Sequence, residues 1–433
     1  MNELIIIGGG LAGSEAAWQA ALRGIKVTLF EMRPLRLTEA HKTGFLGELV
    51  CSNSLRSGDI MSAPGLLKKE LEMADSLIMK AAEVSRVPAG NALAVDRTLF
   101  SGFLTDAISG NPNIKVMREE VKEIPQAPCI IATGPLTSSP MADALGRITG
   151  NEHLYFYDAI SPIIDAGSID YEKVYFASRY GKGGDDYINC PMTQEEYGKF
   201  VGALLEADRV SARYFESEKV FEGCMPVEVM ASRGRDTLRF GPMKPVGLRD
   251  PKTGREPYAV VQLRPENRDG SAYNIVGFQT RIKWPEQQRV FRMIPGLEKA
   301  EFLRFGSVHR NTFINSPLFL TGDLTFKAKE GVYLAGQITG VEGYIESTAM
   351  GLVAGINAAG RILGREVVAV PGTTAHGSLI RHITTTAKNF QPSNINFGLF
   401  PPVNSGKGKE LRKKMFVERA VKDWGEYIVR VQQ

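Results

Sequence analysis

Cysteine is scarce in this 433-residue chain: Cys51, Cys129, Cys190 and Cys224 stand far apart and form no CxxC pair. That spacing argues against a structural zinc, an iron–sulfur cluster or a disulfide framework, so no metal is expected and the thiols fit a reducing compartment. No uninterrupted apolar run is long enough to span a bilayer, and no membrane partner is expected. Met1-Asn2-Glu3 leads straight into a short apolar strand without a basic stretch or small-residue cleavage site, so the expected address is cytoplasmic. A one-sided charge is missing too. Against 48 acidic residues stand 52 basic ones, and the resulting +4 neither demands nor excludes a nucleic-acid partner, so any RNA surface must be local. Tandem repeats and low-complexity segments are absent. With 43% hydrophobic residues the chain can bury a sizeable core, and its length predicts two domains.

The first thirty residues carry the clearest signal. Leu4-Ile5-Ile6-Ile7 is a strand-forming run too short for a helix, and it ends at Gly8-Gly9-Gly10-Leu11-Ala12-Gly13. Alanine and leucine, good helix formers, fill Ala12 to Arg23, Gly24 stands where a helix closes, and Ile25 to Phe30 returns to strand character. In such a unit Gly8 permits the tight turn, Gly10 admits a pyrophosphate to the backbone, and Gly13 lets helix and strand pack closely. The helix N-terminus faces the phosphates. Glu31 ends the second strand about twenty residues beyond the glycines, where a carboxylate accepts from ribose hydroxyls and repels a 2′-phosphate. Strand, helix, second strand and acid in register make this more than a lone GxGxxG.

Two later segments favour FAD over NAD. Cys129-Ile130-Ile131-Ala132-Thr133-Gly134 is a buried-strand pattern ending in small residues, suited to close backbone approach. Gly331 to Gln337 repeats the pattern, and Gly340 to Gly360 continues as a long helix of small and aliphatic residues. Taken alone, those glycines read as packing positions in a core helix. Flavoproteins with two dinucleotide folds resemble the arrangement, which places Gly336 and Gln337 at the FAD, Gly343-Tyr344-Ile345 beside the isoalloxazine, and a helix N-terminus favouring an anionic reduced flavin.

The expected architecture is α/β: a Rossmann-like FAD-binding domain of the two-dinucleotide type with a mixed α+β insertion. Residues 1–150 and 327–433 form the FAD domain and 151–326 the inserted substrate domain. Aromatic, turn-rich segments at 155–157, 187–189 and 258–261 predict antiparallel strands there. Thr193 to Ala207 predicts a helix capped by Thr193, with Glu195 and Glu196 in its first turn. The basic run from Lys407 to Lys414 leads into a C-terminal helix and reads as a solvated face, with contact to RNA phosphates as the alternative.

The segments Glu48-Leu49-Val50-Cys51-Ser52-Asn53-Ser54-Leu55-Arg56-Ser57 and Phe221-Glu222-Gly223-Cys224-Met225-Pro226-Val227-Glu228 are more distinctive than the glycines. With Ala94-Val95-Asp96-Arg97, residues 240–247, 308–313 and 336–344, they resemble the folate- and FAD-dependent tRNA (uracil-5-)-methyltransferases over nearly the whole chain. The larger GidA flavoproteins that modify wobble uridine look similar around the FAD segments and lack the pairing at Glu48–Ser57.

That resemblance implies FAD as cofactor, methylenetetrahydrofolate as co-substrate, NADH or NADPH as reductant and tRNA as acceptor. It assigns Cys224 the attack on C6 of uracil, because C5 is a poor nucleophile until a thiolate adds across the ring. Cys51 becomes the second functional cysteine, guarding the one-carbon group near the flavin, and Asp96 joins the FAD contacts. His309 stacks on the pterin while Arg310 and Asn311 bind folate groups. Composition alone makes both cysteines small buried hydrophobes, and the flanking motifs reverse that reading. Cys129 and Cys190 are assigned to packing. Arg233, Arg235, Lys244, Arg281 and Lys283 are candidate RNA contacts, and the target base must leave its stack in the T loop. The competing classes are a flavin electron carrier, which normally needs a redox cysteine pair, and an RNA-binding protein with an inert flavin. No second GxGxxG serves a nicotinamide, so NAD(P)H visits transiently.

Overall fold

Five strands run parallel in one sheet, in the spatial order Lys329–Leu334, Cys129–Ile131, Glu3–Ile7, Lys26–Phe30 and Ile114–Met117, with Thr325–Phe326 antiparallel on one edge. The architecture comes from a computed structural model that describes residues 3–150, 153–210, 225–387, 390–403 and 408–432, without the side chains of 153–159, 308–310 and 409. Central strands such as Cys129–Ile131 are buried throughout, as a parallel sheet covered on both faces requires.

The cradle helix spans Leu11–Leu22, contains no β-branched residue, and ends at Arg23 with Gly24 at φ +77°. Against it lies the glycine helix Tyr344–Ile362. A Cβ at Gly351 would stand 2.2 Å from the Ala12 carbonyl oxygen, and one at Gly355 would stand 2.6 Å from that of Ala16. These interior glycines therefore serve close packing. Gly340 and Gly343, at φ +85° and +114°, shape the turn before the helix instead.

A second sheet of six antiparallel strands draws on Ile163–Asp165, Tyr175–Phe176, Ile188–Met192, Ala259–Pro265, Ala272–Ile275 and Phe302–Arg304, and has its own apolar core. The helix Gln194–Glu206 packs on it behind a capping box, with Thr193 Oγ1 accepting from the Glu196 N–H and the Glu196 carboxylate from the Thr193 N–H. A two-stranded antiparallel ribbon, His153–Ala159 with Val308–Ile314, runs between the halves. No helix among the described residues is long and apolar enough to cross a membrane.

Candidate active site

Strand register gathers the three glycine-bearing segments at one edge. The Gly8 N–H donates to the Phe30 carbonyl, Ala132 to Ile7, and Ala335 to Ile131, at 2.8, 2.8 and 3.0 Å. The turns that follow these strands therefore meet at the C-terminal edge of the sheet, where open α/β sheets bind ligands. They border a cavity lined by Gly8, Gly10, Leu11 and Ala12, by Glu31, by Ala132, Thr133 and Gly134, and by Gly336, Gln337 and Tyr344.

The glycines divide their tasks. A Cβ at Gly8 would stand 2.5 Å from the Ala132 oxygen and one at Gly13 only 1.8 Å from the Gly8 oxygen, so both are fixed by protein packing. Gly13 accordingly stays behind the cavity wall. A Cβ at Gly10 would meet no protein atom within 4 Å, and Gly10 supplies no side-chain cap to the helix. The first helical N–H groups have no intrahelical acceptor, and the open space before them fits a pyrophosphate.

Glu31 does more inside the protein than the sequence discloses. One carboxylate oxygen accepts from Gly9 N–H at 2.9 Å and Arg33 Nη2 at 3.1 Å; the other accepts from Arg33 N–H at 3.0 Å and Nε at 2.9 Å. Four donors fill its four acceptor positions, so a ribose hydroxyl reaches Glu31 only when Arg33 turns aside. Burial pushes this carboxyl up, but the Arg33 bonds and charge and the Gly9 N–H outweigh it and hold the group below the usual carboxylate range. Arg33 also meets Glu48 at 3.1 Å. No periodicity or motif pointed to Arg33.

Asp96 stands at the start of a helix. It lies outside the linings of both cavities described here, and its Oδ1 caps the helix Arg97–Ser109 by accepting from Thr98 and Leu99 N–H at 2.9 and 3.0 Å.

A second cavity shares the wall residues Val50, Pro135, Gln337 and Tyr344 with the first. Cys51, Gly343, Ile345 and Asn311 line it. Cys51 is held by its backbone: its N–H donates to the Tyr344 hydroxyl at 2.8 Å, and Arg97 Nη2 donates to its carbonyl at 2.9 Å. Arg97 also binds the Leu49 carbonyl and, at 2.6 Å, Glu266 of the second sheet. Arg264 donates to Ser52 Oγ and Asn53 Oδ1 at 2.8 and 2.9 Å. Arg97, Arg264 and Arg304 all lie within electrostatic reach of the Cys51 sulfur.

Asn311 is buried, and its Oδ1 has no hydrogen-bond partner among the described residues. His309 and Arg310 share its strand, facing Asp158 and Tyr157 in register; their side chains lie outside the described set. Cys224 lies outside the described residues altogether. Cys129 and Cys190 are buried in the two sheets. Burial pushes the Cys129 thiol up to about 11 and the Cys190 thiol up as well. Of the surface cations, Arg281 and Lys283 lie 3.7 and 3.1 Å from Glu228 and Asp208. Arg233, Arg235 and Lys244 are exposed. In the C-terminal helix Lys413 and Lys414 pair with Glu410 and Glu418. Among the described residues no group of three His, Cys, Asp or Glu side chains could hold a metal ion.

A family model described as glucose inhibited division protein A matches residues 3–366. The methylenetetrahydrofolate–tRNA-(uracil-5-)-methyltransferase TrmFO of Natranaerobius thermophilus is 57% identical over 99% of both chains. That of Geobacter sulfurreducens is 58% identical over 98% of this chain and 99% of its own. The chain belongs to the TrmFO group of the GidA family. A solved structure of Aquifex aeolicus GidA, at 20% identity, superposes with a TM-score of 0.72 over 99% of this chain and 75% of that one, showing the same fold. The α/β fold expected from the sequence is thus the one observed. Within it, the Glu48–Ser57 and Ala94–Arg97 segments, far apart in sequence, meet at the Cys51 loop through Arg97.

Proposed function

We propose that this TrmFO-group protein is an enzyme that methylates C5 of a T-loop uridine in tRNA, with FAD as cofactor and methylenetetrahydrofolate as one-carbon donor. The observation that carries the reading is the wall shared by the dinucleotide cavity and the Cys51 cavity, in a chain 57% identical to a TrmFO methyltransferase along its whole length. Bound FAD supplies the electrons and the carbon relay that the chemistry requires.

The chain's own residues bind and orient. The turns at Gly8–Gly13, Ala132–Gly134 and Gly336–Gln337 hold the dinucleotide, with the Gly10 gap and the helix N-terminus receiving the pyrophosphate. Tyr344 stands between the two cavities and fixes the Cys51 backbone. Cys224 supplies the thiolate that adds to uracil C6, and Cys51 guards the one-carbon group. His309 and Arg310 bind folate with Asn311, whose unpaired buried oxygen offers an acceptor to a pterin N–H. NADH or NADPH reduces the flavin in a transient visit. The acceptor RNA lies across the Cys51 cavity and the inserted domain with its target base flipped out.

The test is methyl transfer to unmodified tRNA by FAD-loaded protein with NADH or NADPH, comparing methylenetetrahydrofolate with S-adenosylmethionine as donor. The expected product is folate-dependent 5-methyluridine in the T loop, lost in Cys51→Ala and Cys224→Ala with FAD retained. Transfer from S-adenosylmethionine, or flavin reduction with no transfer at all, sinks the reading. A folate requirement unchanged in His309→Ala removes the pterin-stacking role.

A further inference from the structure

Arg56 is placed in an unusual way. It lies in the short strand Ser54–Ser57, where pairing with Ala92–Val95 slips in register, and it adopts φ +66°, uncommon for a residue with a side chain. Bulges of this kind re-aim side chains beside functional sites. Here the result is a guanidinium in the lining of the Cys51 cavity, with the side chain 41% exposed. Its Nη1 donates at 2.7 Å to Oε1 of Glu346, which is fully buried in the first turn of the glycine helix.

Glu346 is itself singular. Oε1 also accepts from the Ile395 N–H at 3.0 Å, whereas the buried Oε2 has no hydrogen-bond partner among the described residues. That oxygen lies 2.4 Å from where a Cβ on the cavity residue Gly343 would stand, so only glycine leaves room for it. Burial pushes the carboxyl up, and Arg56 is the strongest opposing influence. A buried carboxylate fixes one edge of the guanidinium and leaves the rest of this cavity-lining side chain without another hydrogen bond to the described residues.

We propose that Arg56 is an anion-binding residue of the Cys51 cavity and that Glu346 is its positioning residue. The inference rests on the proposed function, which brings two anions to this cavity: the carboxylates of the folate tail and the phosphates of the RNA. The recognising chemistry, a guanidinium fork donating two parallel hydrogen bonds to a pair of oxyanion oxygens, is common to both.

Direct titration of FAD-loaded protein separates the sources without needing turnover. Methylenetetrahydrofolate binding is read from the flavin absorbance, and binding of unmodified tRNA by filter retention at two salt concentrations. Arg56→Gln is expected to weaken one of them by about ten- to a hundredfold. A loss confined to folate assigns the carboxylate; a loss confined to tRNA, with the log–log salt slope reduced by about one, assigns a phosphate. If Arg56→Gln fails to fold because Glu346 is left unpaired, Arg56→Gln with Glu346→Gln removes both charges and is titrated instead.

Glu346→Ala should weaken the same ligand, and adding it to Arg56→Gln should cost nothing more, whereas a merely structural glutamate gives additive losses. Additive losses overturn the positioning role. Wild-type binding of both ligands that Arg56→Gln leaves unchanged overturns this inference alone. Wild-type protein that binds neither ligand overturns the proposed function along with it.

Discussion

The two adjoining cavities are built on opposite principles. The dinucleotide cradle is made of backbone: three strand ends brought level by sheet register, each followed by residues too small to block the approach. The Cys51 cavity is made of side chains, with Arg97, Arg264 and Tyr344 clamping a loop from three distant parts of the sequence. Backbone sites tolerate almost no added atom. Side-chain sites depend on charge balance, and substitutions there disturb energetics before they disturb shape.

Gly13→Ala should produce the largest effect. Its Cβ would lie 1.8 Å from the Gly8 oxygen, so the turn or the helix must shift. We expect destabilisation of about 3 kcal/mol and purification without bound FAD, read by thermal melting and the 450 nm region of the spectrum. Gly10→Ala sharpens the point: its Cβ meets no protein atom, so the apoprotein should melt as wild type does while FAD affinity falls. Equal melting losses in both variants would break the distinction between packing glycine and ligand glycine.

Arg97→Gln tests the other principle. It leaves Glu266, nearly buried, without its 2.6 Å partner and frees the carbonyls of Leu49 and Cys51. Loss of one member of such a pair costs about 3 kcal/mol. Turnover should fall by more than about tenfold through the loosened Cys51 loop, with FAD stoichiometry unchanged. If FAD is lost instead, the two cavities are not energetically separate.

A smaller effect is expected from acid. Glu31 is held below its ordinary value of 4.5, so the folded state favours its charged form; that stability is complete above the unfolded value and is lost as pH falls below about 4.5 toward the folded one. Glu31→Gln should therefore flatten the acid limb of the stability profile and leave the neutral region comparatively little changed in slope. Melting temperatures from pH 7 to pH 3 in both proteins decide it.

The same division explains what could be read from sequence. Gly8, Gly10 and Gly13 announce a cradle because their spacing is local and each has a geometric reason, and the capped helix after Thr193 is legible for the same cause. Arg264 and Glu346 announce nothing, since their partners lie in space and not at a fixed offset: Arg264 reaches Ser52 and Glu346 reaches Arg56 across more than 200 residues. Arg97 stands midway: it lies in the distinctive Ala94–Arg97 segment, but its partners Leu49, Cys51 and Glu266 are set by the fold and not by spacing. Glu31 shows the converse limit, because its motif position was plain and its saturation by Arg33 was not.

The smallest effect should come from the two cysteines buried in the sheets. Cys129 lies between Ile5 and Val332 in the parallel sheet and Cys190 opposite Val261 in the antiparallel one, both without exposure. Burial raises both thiols, disfavouring the thiolate that chemistry at sulfur requires. Cys129→Ala and Cys190→Ala should each lose about 1 kcal/mol of stability from the vacated volume and keep wild-type turnover per bound FAD. Contrast with Cys51→Ala is the sharpest form of the comparison, since it opposes a thiol that lines a cavity to thiols buried in the two cores. A folded, FAD-loaded Cys190→Ala protein without turnover would show that the inserted sheet acts on the reaction through its core, and the partition drawn between packing and chemistry would have to be redrawn there.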